Sequence, residues 1–410
     1  MEERDPSTSS GQDHRRIGRE QDLFTFSDLV GSGLPLWTPK GTILRDELDR
    51  FVWELRKSRG YEKVEIPHIT KKDLYIKSGH WDKFEEDLFK ITTREGDEFA
   101  LKPMNCPHHT QLFARRPFSY REMPQRYANS TMCYRDEQSG ELNGLSRVRA
   151  LTIDDAHVFC REGQVKEEFL KTWDIVQEFY GAFGFTLRTR LSFHDPAHPE
   201  KYLGGKSKWA AAESILREIT EEKGADTFEG PGEAAFYGPK LDFMAKDSLG
   251  REWQVATIQI DMNMPERFDL TCINEKGEKE RVVMIHAAIM GSIERFLAVI
   301  IEHLGGTFPL WLSPIQARVL PIGERHHAFA REALAELQAV NIRADIDESG
   351  KSLGKKVRSA KEEKIPYLLV IGDTEVESKT ASLEGRAEKF GTLPIADITS
   401  KLQKEIFERR

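Results

Sequence analysis

Residues 151–159 read LTIDDAHVF. As a strand, the stretch puts Leu151, Ile153, Asp155, His157 and Phe159 on one face, because strand side chains alternate with a period of two. That face mixes a carboxylate and an imidazole with apolar neighbours, so Asp155 and His157 must meet something together. Cys106 in KPMNCPHH and His286 in VVMIHAAIMG are further candidates for chemistry. Taken singly, each also reads as a core residue: a buried cysteine behaves as a small hydrophobe, and a lone histidine in an apolar setting is usually a satisfied core group. Spacing alone cannot unite three residues so far apart in the chain.

A second group is basic. Arg135 shares YRDEQSG with Glu137, Arg147 and Arg149 follow in SRVRA, and Arg295 lies in GSIERF, four residues after a glycine. Guanidinium groups are always charged and offer a planar fork of donors, so several converging from strands and a helix would suit the cutting of a triphosphate. Ordinary surface ion pairs are the other reading of each.

The elements that must position these groups are partly legible. PLWTPKGTILRDELDRFVWELRKSRGYEKVEIPHI predicts a turn, a helix with Ile43, Leu44, Leu48, Phe51, Val52 and Leu55 on one face, and a strand ending near Pro67. Between 90 and 260, EFALKPM, TMCYRDE, SRVRALTIDDAHVF, LDFMAKD and REWQVATIQIDM read as strands, interrupted by a helix in EGQVKEEFLKTWDIVQEFYGAF. This pattern predicts an α+β domain on an antiparallel sheet. Another amphipathic helix is expected from about 287 to 304. After the Gly- and Pro-rich GGTFPLWLSP, strand and helix alternate to the end, which predicts a smaller α/β domain with its boundary close to 306–314.

A chain of 410 residues is long enough for two or three domains. The net charge of −8 excludes a protein coated in basic charge but leaves room for local basic strips. Cys106, Cys133, Cys160 and Cys272 form no CxxC pair, so neither a disulfide framework nor a four-cysteine zinc site is expected. No run has the length of a membrane span, and MEERDPSTSSGQDHRR lacks an apolar signal core. A cytoplasmic protein without a membrane partner is expected, with a small, polar, disordered tail over residues 1–13.

Taken in order, GLPLWTPKG, EIPHI, KPMNCPHH, YRDEQSGELNGLSRVR, DDAHVFC, FYGPKLDF, WQVATIQIDM and HAAIMGSIERF closely resemble the class II aminoacyl-tRNA synthetases, and among them the threonyl-tRNA synthetase family. One such motif would be weak, but several in the correct order argue against chance. The resemblance implies a class II catalytic domain over 14–308 and an anticodon-binding domain over 313–410. It implies ATP-dependent attachment of L-threonine to tRNA(Thr) through a threonyl-adenylate, with Mg2+ accompanying ATP, by a homodimer whose interface includes Pro67 and the helix before it.

By the same resemblance, Cys106, His157 and His286 hold one zinc ion per subunit. Three protein ligands leave coordination positions open, and the family uses them to grip the amino group and hydroxyl of threonine. Asp155 then accepts the hydroxyl proton, which accounts for the polar pair in LTIDDAHVF. Valine would leave that carboxylate unsatisfied, whereas serine lacks only a methyl and is hard to exclude. Arg135 and Glu137 match the second class II motif, on the α-phosphate and the adenine. Arg295 matches the third, on the γ-phosphate, with Arg147 a further ATP candidate. Tyr237, Lys240, His80 and Gln259 match residues lining the substrate pocket and the tRNA 3′ end. Thr374, Glu375 and Val376 fall where the family touches the anticodon, Glu375 foremost.

The chain departs from the family pattern at several places. Ile153 stands for the glutamine of TQDDAH, HAA for HRA after His286, and Gly350 for an anticodon-contacting asparagine; SLEGRAEKF is also short. With about 20 residues before the catalytic motifs, the chain is expected to lack editing domains and to leave serine misacylation uncorrected. A synthetase-like binding protein without catalysis would have lost Arg135, Glu137 or Arg295, and all are present. A hydrolytic zinc enzyme would leave the arginines unexplained, and no HExxH motif occurs.

Overall fold

The computed structural model describes residues 13–409. The tail expected over 1–13 therefore lies, Asp13 apart, outside the described residues. Two units pack separately. One contains Phe26–Pro35 and Asp49–Val299; the other contains the described residues up to Thr25, Leu36–Leu48, and the chain from Ile300 onward.

The first unit is built on eight strands: β1 (Glu62–Lys63), β2 (Gln125–Tyr134), β3 (Ala150–Cys160), β4 (Leu187–Phe193), β5 (Thr227–Pro231), β6 (Lys240–Lys246), β7 (Glu252–Asp261) and β8 (Val283–Ser292). Their order is β5-β4-β6-β7-β8-β3-β2-β1. The six inner strands are antiparallel, and only the edge pairs β5/β4 and β1/β2 are parallel. The expected antiparallel α+β architecture is therefore observed.

One face of the sheet packs against the helix Val165–Gly181, whose buried Phe169, Trp173, Val176 and Phe179 follow the helical period. Tyr180 at its end donates to the carbonyls of Val255 (3.1 Å) and Ile289 (2.7 Å). The other face meets the helix Cys106–Ala114, where the Phe113 ring stacks on Phe159 of β3 at 4.6 Å. Cys106 opens that helix, so its packing on β3 aims the thiol at the sheet.

Two expected elements differ. The helix foreseen from about 287 begins only at Ile293 and ends at His303, and VMIHAAIMGS before it is β8. A central strand covered on both faces loses its alternation and reads as a continuous apolar run, which sequence cannot separate from a buried helix. The strand expected to end near Pro67 shrinks to β1: after the Val64 N–H bonds Ala128, the ladder stops, and Pro67 has no N–H to extend it.

The second unit carries a five-stranded sheet of β9 (Ala317–Pro321), β10 (Ala344–Ile346), β11 (Tyr367–Ile371), β12 (Thr380–Gly385) and β13 (Lys389–Pro394), in the order β10-β9-β11-β12-β13. The first three are parallel, as the strand–helix alternation predicts, with His327–Ala339 and Leu353–Glu362 as crossovers. The antiparallel hairpin β12–β13 was not evident in SLEGRAEKF. Arg343 ties three segments of this unit, donating to the carbonyls of Ser313 and Trp311 and to Glu47 Oε1 at 2.7 Å. Among the described residues, no helix is long and apolar enough to cross a membrane.

Candidate active site

Strand register unites what sequence spacing could not. Tyr127 lies opposite His157, His157 opposite His286, His286 opposite Gln259, and Gln259 opposite Lys240, in one row across five strands. Directly opposed residues share a face. The adjacent row holds Asn129, Asp155, Ala288, Thr257 and Asp242. Cys106 approaches from the helix above, and its Sγ and one ring nitrogen each of His157 and His286 all lie within 4.8 Å of one another, with all three residues buried.

The second ring nitrogens are occupied. His286 Nε2 lies 3.0 Å from Asp261 Oδ2, while Asp261 Oδ1 accepts the backbone N–H groups of Asn263 and Met264. His157 Nε2 faces His286 Nδ1 at 3.1 Å, and its Nδ1 lies 2.7 Å from His109 Nδ1. One sulfur and two imidazole nitrogens, with a carboxylate orienting one ring, fit a zinc site with an open position. Burial holds His157 well below the ordinary imidazole range, which keeps it in the neutral form that binds metal. Burial also raises the Cys106 thiol far above its usual value, so binding a metal there must release a proton.

Around this cluster stand most of the substrate candidates. Asp155 Oδ1 lies 3.8 Å from His157 Nε2, and its Oδ2 accepts from Asn105 Nδ2 at 3.2 Å. The Tyr237 ring stacks on His286 at 4.7 Å, and its hydroxyl donates to Gln259 Oε1 at 2.5 Å. His80 Nε2 lies 3.4 Å from Cys106 Sγ; burial first, then His286 and Arg267, push this imidazole down to about 3. Lys240 shares the row, but its ammonium is held by Asp242 at 2.8 Å. Ile153 projects from the same face of β3 and pairs with Ser292, beyond a bulge that shifts register after Ala288.

The ATP candidates are less closely joined. Arg135 follows β2 directly, and its Nε is buried without a hydrogen-bond partner among the described residues. Glu137 is buried and accepts from Arg147 Nε at 2.7 Å. Arg295 lies in the first turn of the helix after β8 and, with Thr257, Ala288 and Ser292, lines a cavity of about 100 Å³. Glu375 belongs to the other unit, where its Oε2 caps its own short helix by accepting the Gly372 N–H at 2.9 Å.

Sequence reasoning missed Asp261, Asn105, Lys102 and Asn129. Asp261 follows Gln259 by two on β7 and so shares its face, a signal that TIQID already contained. The Asn129 amide is buried in the row of Asp155 with neither atom partnered among the described residues; only register reveals it.

Residues 89–304 match the tRNA synthetase class II core domain (G, H, P, S and T), and residues 316–405 match an anticodon binding domain. The chain is 48% identical over 399 residues to a threonine–tRNA ligase of Porphyromonas gingivalis, covering 96% of this chain and 61% of that protein. Against a threonine–tRNA ligase of Synechococcus elongatus, identity is 46% over 406 residues, covering 97% and 67%. A crystal structure of the RNA binding domain of threonyl-tRNA synthetase from Cryptosporidium parvum is similar with a TM-score of 0.92 at 38% identity, covering 96% of this chain and 98% of that one.

Proposed function

The chain belongs to the threonine–tRNA ligase family of class II tRNA synthetases, and from that premise we propose that it activates L-threonine with ATP as threonyl-adenylate and transfers it to tRNA(Thr). The observation that carries this reading is the buried convergence of Cys106, His157 and His286 beside Asp155. Zinc, held by those three residues, would supply an open Lewis-acid position for the amino group and hydroxyl of threonine. Asp155 then accepts the hydroxyl's hydrogen bond, so valine would strand a buried carboxylate, with rejection of about 10⁴-fold or more. Serine retains the hydroxyl and is discriminated only by a methyl's worth of packing, about 10- to 200-fold.

Tyr237 and Gln259, already bonded to each other, wall the pocket beside His286. Arg135 bridges the α-phosphate and the amino-acid carboxylate, a role its unpartnered buried Nε supports. Glu137 reads the adenine amino group, Arg147 assists on ATP, and Arg295 holds the γ-phosphate; Mg2+ enters with ATP as part of that substrate. Their work is to position the reactants and to stabilise charge developing at phosphorus, with no covalent protein intermediate. His80 and Lys240 act near the tRNA 3′ end.

In the same reading, 14–308 is the catalytic domain and 313–410 the anticodon-binding domain, with Glu375 its leading contact. The working form is a cytoplasmic homodimer.

Amino-acid-dependent exchange of labelled pyrophosphate into ATP tests the reading, with zinc-loaded protein and threonine, serine, valine and proline. Strong exchange with threonine, weaker with serine and none with valine is expected. No exchange with any amino acid would overturn adenylation and leave a binding role in its place.

A further inference from the structure

Lys102 is wholly buried, yet among the described residues no carboxylate lies within ion-pair distance of its ammonium. Nζ donates to two neutral oxygens, Asn105 Oδ1 at 3.0 Å and Thr131 Oγ1 at 2.9 Å. A buried ammonium without a paired anion is costly, and an apolar side chain of similar length would serve packing better. Its placement therefore calls for a reason beyond the core.

Asn105 supplies one. Its amide is fully buried and directly precedes the helix that carries Cys106. At Oδ1 it meets two donors, Lys102 Nζ and the Cys133 thiol at 3.4 Å. At Nδ2 it meets Asp155 Oδ2, which as a carboxylate only accepts. The opposite amide orientation would face an NH2 group toward an ammonium and a carbonyl toward a carboxylate, so the lysine fixes which way the amide points. Through it, Oδ2 of Asp155 is engaged by Asn105, while Oδ1 is the oxygen nearer the cluster, 3.8 Å from His157 Nε2.

Resting on the reading of threonine activation above, we propose that Lys102 and Asn105 are positioning residues for hydroxyl recognition. The buried charge locks the Asn105 amide, and the amide fixes the rotation of the Asp155 carboxylate, so that one oxygen alone is presented to the substrate. Neither residue needs to touch threonine; their effect is on selectivity for the hydroxyl.

Pyrophosphate exchange with the full chain tests this through Lys102→Met, Asn105→Ala and Asn105→Asp, with zinc content measured for each. All three are expected to raise the KM for threonine and to lower the threonine-to-valine preference, each by about tenfold, with the KM for ATP and the zinc content unchanged. Asn105→Asp is the informative substitution, because it keeps the shape and the bond to Lys102 but replaces the donor facing Asp155 with an acceptor. If it restores the threonine KM lost in Asn105→Ala, Asn105 only fills space and the proposal is overturned. Unchanged threonine KM, a parallel rise in the ATP KM, or loss of zinc would also overturn it. Should Lys102→Met fail to fold, the two Asn105 variants decide the matter. An unsubstituted chain that shows no threonine-dependent exchange would instead overturn the underlying reading.

Discussion

His286 reaches the cluster through Nδ1 because Asp261 holds its Nε2, and Asp261 is itself fixed by two backbone amides. The carboxylate therefore sets the ring's tautomer and its orientation. Asp261→Asn is expected to lower zinc affinity about 10- to 100-fold, measured by competition with a chromophoric chelator, without moving the other ligands. A second expectation concerns protons. Burial and then the Lys102 charge push the His108 imidazole from an ordinary 6.5 down to about 4. Because this folded value is depressed, the unfolded chain binds the proton first as pH falls, so the contribution of His108 to stability is full above 6.5 and lost as pH drops from there toward 4. In chelator-treated protein, urea midpoints should fall across that window, and His108→Gln should flatten the slope.

At the level of elements, the segment FYGPK enters β6 by passing so close to β7 that a Cβ on Gly238 would stand 1.8 Å from the Ile260 carbonyl oxygen. Backbone cannot yield as a flexible side chain can. Gly238→Ala should cost about 3 kcal/mol by urea denaturation and displace Tyr237 from His286, seen as a raised threonine KM. The sequence disclosed β3 and its polar face, the amphipathic helix Val165–Gly181, and the change to α/β after residue 313, because each is a local pattern. It did not disclose β8, whose burial on both faces erased the period. Nor could it disclose the register that aligns His157 with His286 and Gln259, since pairing is a property of distant segments and leaves no local mark. The candidate ligands follow from motif order, whereas the role proposed for Lys102 and Asn105, inside the same motif as Cys106, is visible only when Asp155 is placed against them.

For the molecule as a whole, the unit with the five-stranded sheet is not one continuous stretch: it also takes the described residues up to Thr25 and Leu36–Leu48. Arg343 joins Leu36–Leu48 to the later part of the unit through Glu47, and both side chains are mostly covered. Arg343→Ala is expected to lower this unit's stability by about 3 kcal/mol, by calorimetry or urea denaturation. A fragment beginning at 313 would leave Glu47 behind and should be weaker than the same unit in the full chain. The row of Tyr127, His157, His286, Gln259 and Lys240 has an implication for assembly. A slip of one residue in any contributing strand would turn its member to the opposite face. For the proposed zinc site, metal affinity is therefore a reporter of correct pairing across strands more than a hundred residues apart: during refolding, zinc capture should coincide with the final sheet and not with collapse, and mispaired chains would be those that leave the ion in solution.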